Sequence, residues 1–382
     1  MDRKPAQKKK RNLKQWIPML FFMLIGAGCG ILIVRFMDSS FETGRTIGQE
    51  IMTFAGLIVA MYLCILLHIV IHEAGHLVFG LLSGYQFTSF RVGSFMWIRE
   101  EGKLKLKRYS LAGTGGQCLM SPPDLVDGKI PVVLYNLGGS LMNLITSFIC
   151  GLLCFMIGKV TVISTILMIM VLVGIGSAAV NGIPMRLGTV DNDGYNAFSL
   201  LKNREAMYAF WLQMKMNDQI SKGFRLKDMP DEWFLIPTEE GMKNSLIAAQ
   251  GVFACNRLMD AHRFHEADEL MEHFLEIESG IVGIYRNLML CDRMYCEMIG
   301  PNRAEIVEGI LTKEMKQFMK SMKTFPSILR TEYVYELLVT GNEKKAEKIK
   351  LRFDKMAEKY PYPSDIQSEK ELMEYAKSIV KE

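Results

Sequence analysis

Residues 51–82 read IMTFAGLIVAMYLCILLHIVIHEAGHLVFGLL, an apolar run whose only formally charged side chain is Glu73. An α-helix rises about 1.5 Å per residue, so this run is long enough to cross the roughly 30 Å of hydrocarbon in a bilayer. A carboxylate at the centre of a membrane helix costs at least about 2.5 kcal/mol, and such a residue is by default functional or paired. The stretch therefore predicts a membrane-spanning helix that carries polar chemistry.

The polar side chains of this helix form the motif HEAGH at residues 72–76. Positions i and i+4 share one helix face, so His72 and His76 can reach one metal ion, and Glu73 projects near the water that the ion would hold. Zinc suits this set, because imidazole and carboxylate are its usual ligands and a catalytic zinc keeps one position open. We therefore expect one Zn²⁺ per chain. His68, one turn earlier, is interpreted as a hydrogen-bonding neighbour rather than a ligand.

Two further apolar regions extend the membrane interpretation. Residues 16–34 contain no charged side chain, and Lys159 is the only one within residues 131–184. Because Lys159 follows Gly158 near the middle of its region, it predicts a tight turn between two spans. The sequence therefore predicts four spans, at about residues 16–37, 51–82, 131–157 and 160–184.

The basic residues predict the orientation of these spans. Seven Lys or Arg side chains precede the first span, and seven more lie between residues 91 and 129, which connect the second span to the third. Basic residues are enriched in cytoplasmic loops. We therefore expect a multi-pass protein of the cell membrane, with the basic N-terminus (residues 1–15) and the C-terminal region in the cytoplasm.

The connection between the second and third spans has a strand-like pattern. Residues 85–99 and 103–111 alternate apolar and polar side chains, and residues 100–102 (EEG) stand between them, where a turn is needed. The pattern predicts a membrane-associated β-hairpin over residues 85–111. The glycine-rich residues 113–117 are interpreted as a loop.

Residues 195–382 have the composition of a soluble helical domain. They hold 27 basic and 30 acidic side chains and have no long basic stripe, which argues against nucleic-acid binding. Residues 261–271 and 341–348 have spacing typical of tetratricopeptide repeats. The chain is thus predicted to be a polytopic α-helical membrane protein, with a membrane metalloprotein domain over residues 16–194, the β-hairpin within it, and a cytoplasmic all-α, tetratricopeptide-like domain that we expect to bind a protein partner.

A third zinc ligand has to come from outside the second span, and one acidic cluster lies at a suitable depth. His72 comes 21 residues after Ile51, about 30 Å along the helix, which places it near the cytoplasmic face. The fourth span also runs inward and is followed by DNDG at residues 191–194. Asp191 and Asp193 are both candidates for the third ligand.

Three motifs within residues 51–200 together resemble the site-2 protease family of intramembrane zinc metalloproteases. The first is HEAGH in a membrane helix. The second is NGIP at residues 181–184 followed by DG at 193–194, similar to the family's N-x-x-P and D-G elements. The third is GGSLMN at residues 138–143, similar to the family's G-P-x-x-N motif, although Ser140 stands where proline is common. The spacing between the two parts of the second motif is also long.

The resemblance implies a reaction and a set of site residues. It implies zinc held by His72, His76 and Asp193, with Glu73 as general base. It also implies a membrane-spanning or membrane-proximal peptide as substrate, reached from within the lipid bilayer. Asn143 is expected to hydrogen-bond the substrate or the developing oxyanion, or else to pin the third span to another helix.

Two other classes of function stay open. One is a catalytically inactive relative that acts as a membrane scaffold or binds peptides through its helical tail. The presence of Glu73 argues against this class, because a structural zinc site needs no base. The other is a transporter, for which four spans without an internal repeat are a poor basis.

Overall fold

A computed structural model describes residues 17–41, 46–100, 102–109, 115–187 and 190–380. Within these ranges the chain is mostly helical and contains one four-stranded sheet. The predicted basic N-terminus, residues 1–15, lies outside the described residues. The described residues divide into two compact units, one comprising those up to Phe79 together with Val133–Ser199, the other comprising Gly80–Val132 together with those from Leu200 onward. The domain boundary predicted at residues 194 and 195 stays a prediction.

Three helices in the described part of the chain are long and apolar enough to cross a membrane. They are α2 (Ile47–Leu82), α3 (Val132–Ile157) and α4 (Val162–Gly182), and they confirm three apolar helices at the predicted positions. Helix α1 (Ile17–Phe41) lies at the first predicted span but is not among these three, so four spans stay a prediction.

The tight turn between the third and fourth predicted spans is confirmed. Gly158 has φ 66°, a left-handed conformation that costs glycine little. Thr161 then caps α4, because its Oγ1 accepts from Ser164 N at 3.1 Å while Ser164 Oγ accepts from Thr161 N at 2.8 Å. This reciprocal capping satisfies two backbone donors that the start of a helix leaves unpaired.

The first unit has an apolar core where α1 to α4 meet. Its buried side chains come from all four helices: Cys29, Ile33, Phe36, Leu57, Cys64, Cys150, Ile169, Met170 and Val173. The core includes three cysteines, which act here as small apolar side chains. Two short strands, β5 (Arg186–Leu187) and β6 (Val190–Asp191), follow α4 and lead into α5 (Asp193–Ser199). The chain that follows α4 thereby returns toward α2.

The predicted β-hairpin is wrong in strand number, because the described part of residues 85–111 contains three strands, which join a fourth in one antiparallel sheet. The strands are β1 (Gln86–Val92), β2 (Phe95–Glu100), β3 (Lys103–Arg108) and β4 (Gly116–Ser121), in the order β3-β2-β1-β4. Gly93, at φ 58°, reverses the chain where one long strand was expected. The turn before Lys103 is confirmed. Residues 116 and 117, interpreted as loop, belong to β4, because pairing with β1 satisfies their backbone groups.

The sheet shares its core with the C-terminal helices of the second unit. Met96 and Ile98 on one face are 0% and 1% exposed and lie in the same apolar cluster as Phe274 and Phe353. The helices are α6 (Arg204–Ser221), α7 (Ser245–Asp260), α8 (Phe264–Glu276), α9 (Gly283–Ile299), α10 (Ala304–Ile310), α11 (Lys313–Ser321), α12 (Pro326–Val334), α13 (Glu343–Ala357) and α14 (Pro363–Ile379). The helical C-terminal region is confirmed, and its tetratricopeptide-like character stays a prediction.

Candidate metal centre

Helix α2 presents two imidazoles to one point. The rings of His72 and His76 are edge-to-face with centroids 4.7 Å apart, and their Nε2 atoms are 3.1 Å apart. Both side chains are largely buried. The i, i+4 spacing in the sequence produces this arrangement because one helical turn brings the two positions onto the same face.

Asp193, the first residue of α5, completes the cluster. Its Oδ2 lies 3.0 Å from His72 Nε2 and 3.4 Å from His76 Nε2, and its side chain is 26% exposed. One ligand atom from each of the three residues lies within 4.8 Å of the other two, and no second group of this kind occurs in the described part of the chain. Three donor atoms at this separation can share one metal ion.

The imidazole of His76 is oriented for metal binding. Its Nδ1 lies 2.8 Å from the carbonyl oxygen of Tyr135 on α3, which can only accept a hydrogen bond. Nδ1 therefore carries a proton, and Nε2 faces His72 and Asp193, where it can coordinate an ion once its own proton is lost. A carbonyl that holds the second nitrogen in this way is a common support for histidine ligands.

The glycines of the 138–143 motif allow α2 and α3 to approach closely. A Cβ placed on Gly75 would lie 2.3 Å from the carbonyl oxygen of Gly138, and one on Gly139 would lie 2.4 Å from Cε1 of His72. Any larger residue would have to displace the opposite backbone or the imidazole. The small-residue motif therefore sets the position of His72 through backbone contact.

Asn192 holds the turn that delivers Asp193. Its Nδ2 donates to the carbonyl oxygens of Val180 and Ile183, both at 2.7 Å. Its Oδ1 accepts from the backbone N–H groups of Met185 at 3.0 Å and Tyr195 at 2.9 Å. The buried side chain thus ties the end of α4 to the start of α5, a role that the sequence analysis did not assign to it.

The structure separates the two candidate carboxylates. Asp191 lies in β6, where it pairs with Arg186 of β5, and it is not part of the three-residue cluster. Asp193 is the carboxylate that joins the histidines. Burial by itself raises the pKa of the Asp193 carboxyl, but attraction to His76 and hydrogen bonds with both imidazoles lower it by more, so that the pKa lies below its usual range. The carboxylate is therefore ionised, as metal binding requires.

Glu73 and Asn143 have different surroundings. Glu73 adjoins His72 in the same turn of α2 and is partly buried. Asn143 is 0% exposed, with Oδ1 3.0 Å from His68 Nδ1 and Nδ2 donating to Ser177 Oγ at 2.9 Å. These contacts join α2, α3 and α4. They correspond to the second role expected for Asn143, that of pinning the third span to another helix.

His68 lies apart from the metal cluster. Its Nε2 donates to the carbonyl oxygen of Met170 on α4 at 2.9 Å, and its side chain is 1% exposed. Gly174 makes room for this ring, because a Cβ there would lie 2.5 Å from His68 Cε1. With both ring nitrogens engaged in hydrogen bonds, His68 supports the packing of the helices.

Comparisons with protein-family models, with curated proteins and with solved structures find no match for this chain.

Proposed function

We propose that the chain is an intramembrane zinc metalloprotease, similar to the site-2 proteases, that hydrolyses peptide bonds in or near transmembrane segments. The observation that carries this proposal is the meeting of His72, His76 and Asp193 beside Glu73, on or next to helices apolar enough to cross a membrane. The order of the three sequence motifs supports the same reaction.

Zinc fits the donors that the chain supplies. Two imidazole nitrogens and one carboxylate oxygen are among its preferred ligands, and three protein ligands leave a fourth position for water. The hydrogen bond from His76 Nδ1 to the Tyr135 carbonyl directs the other ring nitrogen toward the ion's position. When bound there, zinc would lower the pKa of water to about 7 and polarise the scissile carbonyl.

Glu73 acts as the general base in this proposal. Its carboxylate takes a proton from the attacking water as the oxygen bonds to the carbonyl carbon. The same proton passes to the leaving amine nitrogen as the C–N bond breaks, so that Glu73 ends the cycle ionised. His72 and His76 would hold the ion throughout, and the Asp193 carboxylate would balance part of its charge.

The four-span topology and a cytoplasmic C-terminal region belong to the same proposal. Limited proteolysis of right-side-out and inverted membrane vesicles tests them. We expect the C-terminal helices to be cut only in inverted vesicles, because the basic segments before α1 and between α2 and α3 favour the cytoplasm. Cutting in right-side-out vesicles contradicts this orientation. A partner of the C-terminal helices stays a prediction.

Zinc content per chain of the detergent-purified protein tests the metal site. We expect about one zinc in the wild type, and its loss in His76→Ala and Asp193→Ala, because a catalytic site needs all three protein ligands. Asp191→Ala is the matched control, since it removes a neighbouring carboxylate outside the cluster, and it should keep its zinc. A zinc-free wild type after zinc supplementation favours the scaffold alternative.

Cleavage of a co-expressed single-span peptide tests the role of Glu73. Glu73→Gln should retain zinc and lose roughly 10²- to 10⁴-fold in cleavage rate, because it removes the proton acceptor and leaves the ligands in place. Chelation should abolish cleavage by the wild type. Undiminished cleavage by Glu73→Gln would show that another group is the base.

A further inference from the structure

Ser140 on α3 has a buried hydroxyl group without a hydrogen-bond partner. The residue is 5% exposed, and its Oγ has no partner among the described residues. Buried polar groups are nearly always hydrogen-bonded, because leaving one unpaired is unfavourable. Ser147 on the same helix shows the usual solution, donating to the carbonyl oxygen of Asn143 one turn earlier at 2.8 Å. The free hydroxyl of Ser140 indicates a partner from outside the chain.

Ser140 lies where the backbone segments that carry the metal-binding side chains meet. It directly follows Gly139, which contacts the imidazole of His72. On its other side, a Cβ placed on Gly182 would lie 3.1 Å from Ser140 Oγ. Gly182 is in turn close to Gly194, the residue that follows Asp193. A Cβ placed on Gly194 would lie 2.1 Å from the carbonyl oxygen of Gly182. The hydroxyl is thus beside the site rather than elsewhere along α3.

Asn143, the other polar side chain of this motif, is already engaged. Its amide lies between His68 and Ser177, and none of its surface is exposed. Ser140 precedes it by three residues, about one helical turn. Ser140 is therefore the side chain of the motif that retains an unused donor.

We propose that the Ser140 hydroxyl donates a hydrogen bond to the carbonyl oxygen of the scissile peptide bond. The proposal rests on the protease function and gives Ser140 the role that the sequence analysis considered for Asn143. When water adds to the carbonyl carbon, this oxygen gains negative charge, and a fixed donor in a site that excludes water stabilises that charge. Ser140 keeps its own proton and forms no covalent bond.

The test compares Ser140→Ala with Ser147→Ala in the full-length, zinc-loaded protein. Both variants remove one hydroxyl from a buried serine of α3, and only Ser147 has that hydroxyl paired. For Ser140→Ala we expect kcat to fall about 10²-fold, as for the loss of one oxyanion donor, with KM and zinc content unchanged. Its melting temperature should not fall, because no internal bond is lost. Ser147→Ala should show the reverse, a lower melting temperature and unchanged kcat.

Two results would overturn the role of Ser140. One is an active wild type with an equally active Ser140→Ala variant. The other is a Ser140→Ala variant whose melting temperature falls as far as that of Ser147→Ala, which would place its hydroxyl in a structural bond. A wild type that neither binds zinc nor cleaves peptides overturns the protease function itself, and this proposal with it.

Discussion

Asn192 controls the path of the chain between α4 and α5, and with it the identity of the third donor. It has four hydrogen bonds to backbone groups on both sides of the turn. Its neighbours Asp191 and Asp193 differ by only two positions, yet one lies in a β-strand and the other faces the histidines. Asn192, which is not one of the three candidate ligands, therefore determines that Asp193 rather than Asp191 lies beside the histidines.

Replacing Asn192 with alanine should weaken zinc binding. We expect a loss of roughly 10- to 100-fold in affinity, because groups that orient metal ligands typically contribute that much. Equilibrium dialysis against a zinc buffer measures it. Asn244→Ala is the control, because the Asn244 side chain likewise accepts from two backbone N–H groups, those of Leu246 and Ile247, but lies in the second unit. Equal affinities of Asn192→Ala and wild type would contradict the positioning role.

At the scale of elements, glycine contacts between α2 and α3 place the histidines. Gly75 and Gly138 bring the two backbones together, and Gly139 lies against the His72 ring. The polar contact of His68 with Asn143 fixes the same pair of helices one turn away. Small residues that permit close backbone approach, with polar side chains across the interface, are typical of helix packing in membranes.

Gly139→Ala should impair the metal site through this contact. The new Cβ would lie 2.4 Å from His72 Cε1, so the imidazole must leave its position in the cluster. We expect at least about a tenfold loss of zinc affinity, as for other changes that misorient a ligand. Gly151→Ala on the same helix is the matched control, because its Cβ would meet its nearest neighbour, Val171, at 3.9 Å. Similar zinc binding by the two variants would rule out steric positioning of His72 by α3.

At the scale of the whole molecule, the second unit contains several buried charged side chains. They take no part in the reaction proposed for the metal cluster of the first unit. Arg330 is 1% exposed and donates to Asp292 and to Glu369. Burial, together with repulsion from Glu369 and Asp260, raises the pKa of Asp365 on α14 to about 7. One carboxyl group of this unit therefore titrates near neutral pH.

The stability of the second unit should fall as the pH rises from about 4 to about 7. The pKa of Asp365 is about 7 in the folded protein, above an unfolded value of about 3.9, so its stabilising contribution is fully present below about pH 4, declines as the pH rises and is lost by about pH 7. Asp365→Asn should remove this loss and raise the free energy of unfolding at pH 8 by roughly 1–3 kcal/mol.

Denaturant unfolding of the full chain in detergent, followed by tryptophan fluorescence, measures this effect. Trp97, Trp211 and Trp233 all belong to the second unit. Asp124→Asn is the control, because the Asp124 side chain is 93% exposed. If wild type and Asp365→Asn lose stability in parallel between pH 5 and pH 8, Asp365 is not the titrating group.

The sequence by itself determined the apolar helices and the shared face of His72 and His76. Both depend on short-range chemistry: a long apolar run needs a helix to pair its own backbone groups in a bilayer, and the helical repeat aligns positions four apart. The turn at Gly158 was predictable for the same reason, because one residue in a left-handed conformation suffices to make it. Glu73 could be identified from the sequence because a charged side chain within a long apolar run is energetically unfavourable unless it has a function or a partner.

Only the tertiary structure decided which distant residues meet. Asp193 joins the histidines, and Asp191 does not, because Asn192 shapes a turn whose path no local pattern encodes. Asn143 faces His68 for a similar reason, since the close approach of α2 and α3 depends on glycines from both helices. Strand β4 was not predicted from the sequence because its pairing with β1 joins residues 24 or more positions apart. Contacts between segments far apart in the chain are set by how the helices pack, and local periodicity does not record that.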